Sequence, residues 1–328
     1  MINYLITGGT GFIGSNLVRR LVLYEAGNVF LIAENNADLW RLNDIISELT
    51  VFYVDLADFK NINSIVKSVN PDVVFHLASY GGLPLQSEQR KIFDINFYGT
   101  VNLLNACKDV GFDCFINTGS SSEYGMKDSA MHESDVVLPI SDYGVSKAAA
   151  TQFCVKEAIF NKLPVYTLRP FSVYGDYEMQ NRLISTVLTS ALTHNQINLS
   201  SESCVRDFIY VQDIVDLYLK IAAVKPARDF VFNGGTGIQS TIKDVVEVVE
   251  SLIGSSLNVS WNTSLPRPWE PKNWKANIDL ALNVLNWQPK YSLQRGLSQS
   301  LNWFKNNLNF YVKNYEDVKS CREKSSSL

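Results

Sequence analysis

Tyr143 and Lys147 stand four residues apart in Tyr-Gly-Val-Ser-Lys. On a helix that spacing puts both side chains on one face. A free phenol ionises near pH 10, which is about three units too high for ready proton exchange at neutrality. A nearby ammonium favours the phenolate, so Lys147 is expected to lower the Tyr143 pKa and make it an acid or base at a carbonyl or alcohol. The pair alone is not specific, because Tyr315 and Lys319 repeat it in a polar tail that reads as surface. Upstream, the run Thr118-Gly-Ser-Ser-Ser-Glu-Tyr-Gly125 ends an apolar segment. Ser120 is there placed to hydrogen-bond a substrate oxygen, and Tyr143, at the start of the next helix, reaches the same atom.

These groups need a scaffold, and the rest of the chain predicts one. Asn3–Thr7 is a short apolar run leading into Thr-Gly-Gly-Thr-Gly-Phe-Ile-Gly, residues 7–14. Phe12, Ile13, Leu17, Val18 and Leu21 then recur at helical spacing. Gly8, Gly11 and Gly14 in a strand–turn–helix let the backbone approach a pyrophosphate at the helix N-terminus. A second run, Val29–Ala33, ends at Glu34, twenty residues beyond Gly14. An acid there accepts from the adenosine ribose and repels a 2′-phosphate, favouring NAD(H); Arg41 leaves NADP(H) open if its loop folds back. Val51–Val54 leads to Asp55 and Leu56 at the adenine edge. Val73–Leu77 runs into Ala78, with His76 read as a packed core histidine. Helical spacing from Ile92 to Cys107 contains Asn96, Phe112–Thr118 forms a fifth strand and Pro164–Leu168 a sixth. Alternation at this pace predicts parallel βαβ units in a doubly wound α/β sheet, with chemistry at the strands' carboxyl ends.

Composition narrows the function classes. The 328 residues are 46% apolar with net charge −4, which argues against nucleic-acid binding and against a basic membrane-surface helix. Strand-like sequence from Asn3 predicts no signal peptide, and no apolar run approaches the roughly 18 residues of a membrane span. Cys107, Cys114, Cys154, Cys204 and Cys321 form no CxxC pair, and there are three histidines. Free thiols in a reducing cytoplasm, with no metal site, are the expectation.

Taken together, TGGTGFIG, VVFHLAS, SSSEYG, YGVSK, LRPFSVYG, RDFIYVQD and LNWQP resemble the extended short-chain dehydrogenase/reductases that act on nucleotide sugars. The likeness runs over nearly the whole chain. It implies Ser120, Tyr143 and Lys147 as the catalytic group, with Lys147 also on the nicotinamide ribose. Gly8, Gly11, Phe12, Ile13, Gly14, Glu34, Asp55, Leu56, Ala78, Pro170 and Val173 would hold the cofactor; Ser172 replaces the family's usual Asn. Ser122, Glu123, Asn181, Arg182, Arg206 and Arg267 would face the nucleotide sugar. A guanidinium grips phosphate oxygens in a two-pronged fashion, which suits Arg206 and Arg267. For Arg206 the alternative is an ion pair with Asp207 or Asp213, and for Arg267 a solvated loop charge.

The implied architecture is a Rossmann-type domain from residues 1–170 and about 206–233. A smaller nucleotide-sugar domain takes about 171–205 and 234–312, before a polar tail at 313–328. Trp261, Trp269, Trp274 and Trp287 are expected to pack the smaller domain. The resemblance also implies a homodimer through the helices around Ile92–Cys107 and Tyr143–Phe160, whose Phe93, Phe97, Val101, Phe153 and Ile159 could cover a second face. The implied reaction is hydride transfer at C4 of a nucleotide-linked hexose. Dehydratases carry Thr-Asp-Glu, and aligned on Tyr124-Gly125 that glutamate position holds Ser122. The Glu123-Tyr124-Gly125 end of the loop favours a 4-keto-6-deoxy sugar reductase over a 4-epimerase; the alternative is that Glu123 merely caps the loop or faces solvent. A non-catalytic NAD(P)-binding scaffold is the remaining reading.

Overall fold

A computed structural model describes residues 1–82, 86–225, 228–263 and 271–312; Arg267, Trp269, Cys321 and the Tyr315/Lys319 pair lie outside the described residues. The chain opens with β1 (Ile2–Thr7), the glycine turn and α1 (Phe12–Leu23). Next come β2 (Gly27–Ala33), β3 (Leu49–Tyr53), α2 (Phe59–Val69) and β4 (Val73–His76). The predicted helix over Ile92–Cys107 is α3 (Gln89–Phe93) and α4 (Gly99–Val110), joined by a π-helical turn at Asp94–Tyr98. β5 (Cys114–Thr118), α5 (Asp142–Phe160), β6 (Val165–Pro170) and β7 (Ser172–Tyr174) follow. After α6 (Leu183–Thr193) come the short β8 (Ile197–Asn198), β9 (Val205–Arg206) and β10 (Phe208–Tyr210), then α7 (Val211–Val224) and β11 (Val231–Gly234). β12 (Ser240–Thr241), α8 (Ile242–Ile253), β13 (Val259–Ser260), α9 (Asp279–Leu285) and α10 (Leu293–Asn306) complete the named elements.

Seven strands form one sheet in the order β3-β2-β1-β4-β5-β6-β11, every pair parallel. Winding therefore reverses between β1 and β4, the crevice where such sheets bind ligands. Both faces are covered, and strand alternation divides the core between them. Ile6, Phe75 and Ile116 pack with α1 and α7, whereas Leu5, Val74 and Phe115 pack with α2, α4 and α5. A further apolar cluster joins α6, α8 and α10 through residues such as Val187, Val245 and Phe304.

The sheet has one more strand than the six apolar runs suggested, since β11 pairs with β6 at the edge. Trp287 also departs from expectation. It joins Ala281 and Leu285 of α9 in the core of the large sheet, because that helix covers α7. Trp261 does pack on the cluster of α6, α8 and α10, while Trp274 packs beside Tyr124, Met131 and Phe171.

Candidate active site

The glycine turn is built for close approach. Gly8 has φ +70°, and a Cβ there would lie 2.5 Å from the Ala78 amide nitrogen. A Cβ on Gly14 would lie 2.1 Å from the Gly8 carbonyl oxygen. Only glycine lets β1, the loop after β4 and the first turn of α1 meet at this point. Gly11 caps α1, its amide donating to the Gly8 carbonyl at 3.0 Å. Phe12 and Ile13 begin the helix. A helix N-terminus at half-buried residues 11–13, beside a cradle that excludes side chains, fits a dinucleotide pyrophosphate. Thr7 Oγ1 ties the crevice together: it bonds His76 Nδ1 at 2.7 Å and accepts from the Ala78 amide at 3.2 Å.

His76 is buried, and its Nε2 pairs with Thr100 Oγ1 at 2.8 Å. Burial and the Lys147 charge hold the ring down to about 3, so it stays neutral. Glu34 is exposed immediately after β2, and Asp55 and Leu56 follow β3, with Asp55 exposed and Leu56 buried. Arg41 does fold back. Its Nε donates to the Tyr177 carbonyl at 2.9 Å and its guanidinium reaches the Thr10 carbonyl at 3.4 Å, over the Trp40 ring. Pro170 is buried at the end of β6, and Val173 lies half-buried in β7 between two apolar clusters.

Ser120, Tyr143 and Lys147 come together at the carboxyl end of β5. Ser141 caps α5 through the Gly144 amide at 3.1 Å, which sets Tyr143 in the first turn. Tyr143 lies close enough to the Ser120 side chain for the serine hydroxyl to act on its phenol. Lys147 is buried, donates to the Thr118 carbonyl at 2.8 Å and has its Nζ 6.0 Å from the Tyr143 ring centroid. Burial brings this ammonium down to about 8, with Glu123 and Cys154 pulling the other way.

The phenol departs from expectation: burial pushes Tyr143 above its ordinary value. The Ser120 side chain and Arg182 pull it down, while Glu123 pushes it up. The ammonium is turned to a carbonyl oxygen rather than to the phenol, so desolvation outweighs it.

Glu123 requires a larger correction. Expected at the substrate, with loop capping or solvent as the alternative, it is fully buried and caps its own loop. Oε1 accepts from the Ser120 amide at 2.8 Å and from Thr151 Oγ1 at 3.0 Å, and Oε2 accepts from Arg169 Nε at 2.8 Å. A carboxylate without water is stable only where such donors replace it, and the buried Arg169 is the donor that the sequence did not reveal. Ser122, half-buried in the same short turn, is the loop residue that remains partly open.

Asn181 is exposed with φ +65°, and Arg182 beside it donates to the Gly82 carbonyl at 3.3 Å. Arg206 is half-buried in β9, donating to the Val205 carbonyl at 2.6 Å. Asp207 takes amides from Thr236, Gly237 and Ala276, and Asp213 takes those of Lys290 and Tyr291.

Asn96 had no assigned role in the sequence. Its amide bonds the Tyr80 backbone in both directions at 2.8 Å and Ser146 Oγ at 2.9 Å. Ser146 in turn donates to the Tyr143 carbonyl at 2.8 Å, so the π-helical turn steadies the loop after β4 against α5. π-turns gather at functional sites, but their i→i+5 bonding leaves no mark in apolar periodicity.

Comparison with known proteins agrees with this geometry. Residues 4–233 match the NAD dependent epimerase/dehydratase family. A UDP-glucuronate 4-epimerase of Thermodesulfobacterium geofontis is 29% identical, with 93% of this chain and 97% of the relative covered. The structure of a UDP-glucuronic acid 4-epimerase from Bacillus cereus, in complex with UDP-glucuronic acid and NAD, superposes with TM-score 0.81 and 27% identity over 93% of this chain and 99% of that one. A UDP-glucose 4-epimerase from Thermotoga maritima, with UDP-glucose, gives TM-score 0.86 and 25% identity over 94% and 100%. The family match spans the sheet and its carboxyl-end loops, and on that ground this chain is an enzyme with NAD as cofactor and belongs to the NAD dependent epimerase/dehydratase family.

Proposed function

We propose that the protein is an NAD-dependent 4-epimerase of a nucleotide-linked hexose or hexuronate. The observation that carries this reading is the missing second acid. Ser120, Tyr143 and Lys147 gather at one point, while the loop beside them offers no carboxylate. Ser122 occupies the position of the dehydratase glutamate, and Glu123, the residue that had favoured a reductase, lies in the core. A site with one acid/base pair suits proton removal and return at a single hydroxyl. The 4-epimerase relatives, similar along almost their full length, support the same choice.

Bound NAD would accept a hydride from C4 and return it. Tyr143 takes the O4 proton and gives it back to the same oxygen. Ser120 holds that oxygen through its hydroxyl, and Lys147 keeps a cation under the phenol side of the site. Asn181, Arg182 and Arg206 serve the sugar and its diphosphate, where fork-shaped donors match phosphate oxygens. The cluster of α6, α8 and α10 forms the nucleotide-sugar side.

The test incubates the protein with UDP-glucuronate, UDP-glucose and UDP-galactose and follows the sugar ring protons by NMR. Interconversion of 4-epimers without net change in reduced nicotinamide is expected. Stoichiometric NADH consumption on a 4-keto-6-deoxy nucleotide sugar, with no epimerisation, would overturn the reading in favour of the reductase.

A further inference from the structure

Thr151 lies two helical repeats beyond Tyr143 on α5, so residues 143, 147 and 151 share one face. Thr151 and Glu123 are both fully buried, and the Thr151 hydroxyl donates to Glu123 Oε1 at 3.0 Å. The same oxygen accepts the Ser120 amide at 2.8 Å, closing a capping box on the short turn after β5. Arg169 on β6 holds the other oxygen at 2.8 Å, with its guanidinium stacked 4.6 Å over the Tyr124 ring. The packing leaves no slack: a Cβ on Gly119 would lie 2.4 Å from Glu123 Oε1.

We propose that Glu123 is a positioning residue, whose buried carboxylate locks the loop bearing Ser120 to the helix face bearing Tyr143 and Lys147, with Arg169 fixing the carboxylate from behind. One oxygen thus sets the distance between two elements that carry the reacting groups. A serine hydroxyl and a phenol must meet one substrate oxygen, and displacements of about 1 Å at such a site cost up to about 10²-fold in rate. A residue that served only to fill the core would not need to bond both elements with one atom. This inference rests on the proposed C4 chemistry for its kinetics, but its geometry can be read without substrate.

The experiment compares Glu123→Asp, Thr151→Val and Thr151→Ser in the full chain. Aspartate keeps the charge beside Arg169 and withdraws the carboxylate from Ser120. Valine removes the Thr151 hydroxyl at constant shape, and serine restores it. Glu123→Asp and Thr151→Val are expected to lower kcat about tenfold, with KM and NAD affinity within about threefold. Thr151→Ser should behave as the unmutated protein. A crystal structure of Glu123→Asp should show the Ser120 hydroxyl displaced by about 1 Å relative to the Tyr143 phenol, compared with the unmutated protein. Unmutated kcat in both Glu123→Asp and Thr151→Val, or a Ser120–Tyr143 separation in the crystal unchanged from the unmutated protein, would overturn the proposal. If Glu123→Asp does not fold, the valine and serine variants decide by kcat alone. Absence of C4 turnover in the unmutated protein would strike the functional reading, while the crystal structure would still decide this one.

Discussion

At the scale of single residues, chemistry at this site depends on where two charges are turned. Lys147 aims its ammonium at the Thr118 carbonyl rather than at the phenol, and Tyr143 stays above its ordinary pKa. The Ser120 side chain is the neighbour that lowers it most. Tyr143→Phe is accordingly expected to bind NAD normally and to lose about 10²–10⁴-fold in turnover. Steady-state rates beside a calorimetric NAD titration check this; near-normal turnover would remove Tyr143 from the catalytic role. Glu34 is the residue that should govern cofactor choice. NAD(H) is expected to bind more tightly than NADP(H), and Glu34→Ala to narrow the gap, since Arg41 lies folded over the glycine turn nearby. Tighter NADPH binding by the unmutated protein would contradict that assignment.

At the scale of elements, α5 is held from both ends. Its first turn is capped by Ser141, and its last turns are tied to α4 by Glu157. Burial raises the Glu157 carboxyl, but Lys108, Lys156 and Asn161 outweigh it and bring it down to about 2. Because the folded value lies below the unfolded one of 4.5, the contribution is complete above about pH 4.5 and is lost as pH falls towards 2. The loss is at most about 3 kcal/mol. Urea midpoints at pH 6 and pH 3 should show the unmutated protein well ahead of Glu157→Gln at pH 6 and the gap cut by about half at pH 3. A gap that does not change with pH would show that the ties contribute nothing through charge.

At the scale of the whole molecule, α3, the π-helical turn, α4 and α5 together present an apolar face that the other described residues leave uncovered. Phe93, Phe97, Val101 and Phe153 are half-buried, while Tyr98, Ile159 and Phe160 are exposed, Phe160 by 77%. Phe97 of the π-helical turn and Phe153 of α5 already pack edge to face, with centroids 6.5 Å apart. We propose that a second copy of the chain covers this face and that the protein is a homodimer. Light scattering at micromolar concentration should give twice the monomer mass, and Phe160→Glu should shift it towards the monomer. A monomer mass for the unmutated protein would overturn the proposal. Among the described residues no helix is long and apolar enough to cross a membrane.

What the sequence by itself determined is what repeats along the chain. Apolar runs and helical spacing located six strands within a residue or two, and the spacing of Gly8, Gly11 and Gly14 located the turn. Local patterns carry such information because strand and helix periods are properties of neighbouring residues. Tyr143, Lys147 and Ser120 were legible for the same reason, each lying at the end of a recognisable element. The direction of Glu123 was not. An acid next to Tyr124 reads equally as facing substrate, capping its loop or facing solvent until Arg169, 46 residues later, and Thr151, 28 residues later, are folded onto it. Only the tertiary structure decided that, because a carboxylate follows the donors that replace its water, and those donors come from other elements.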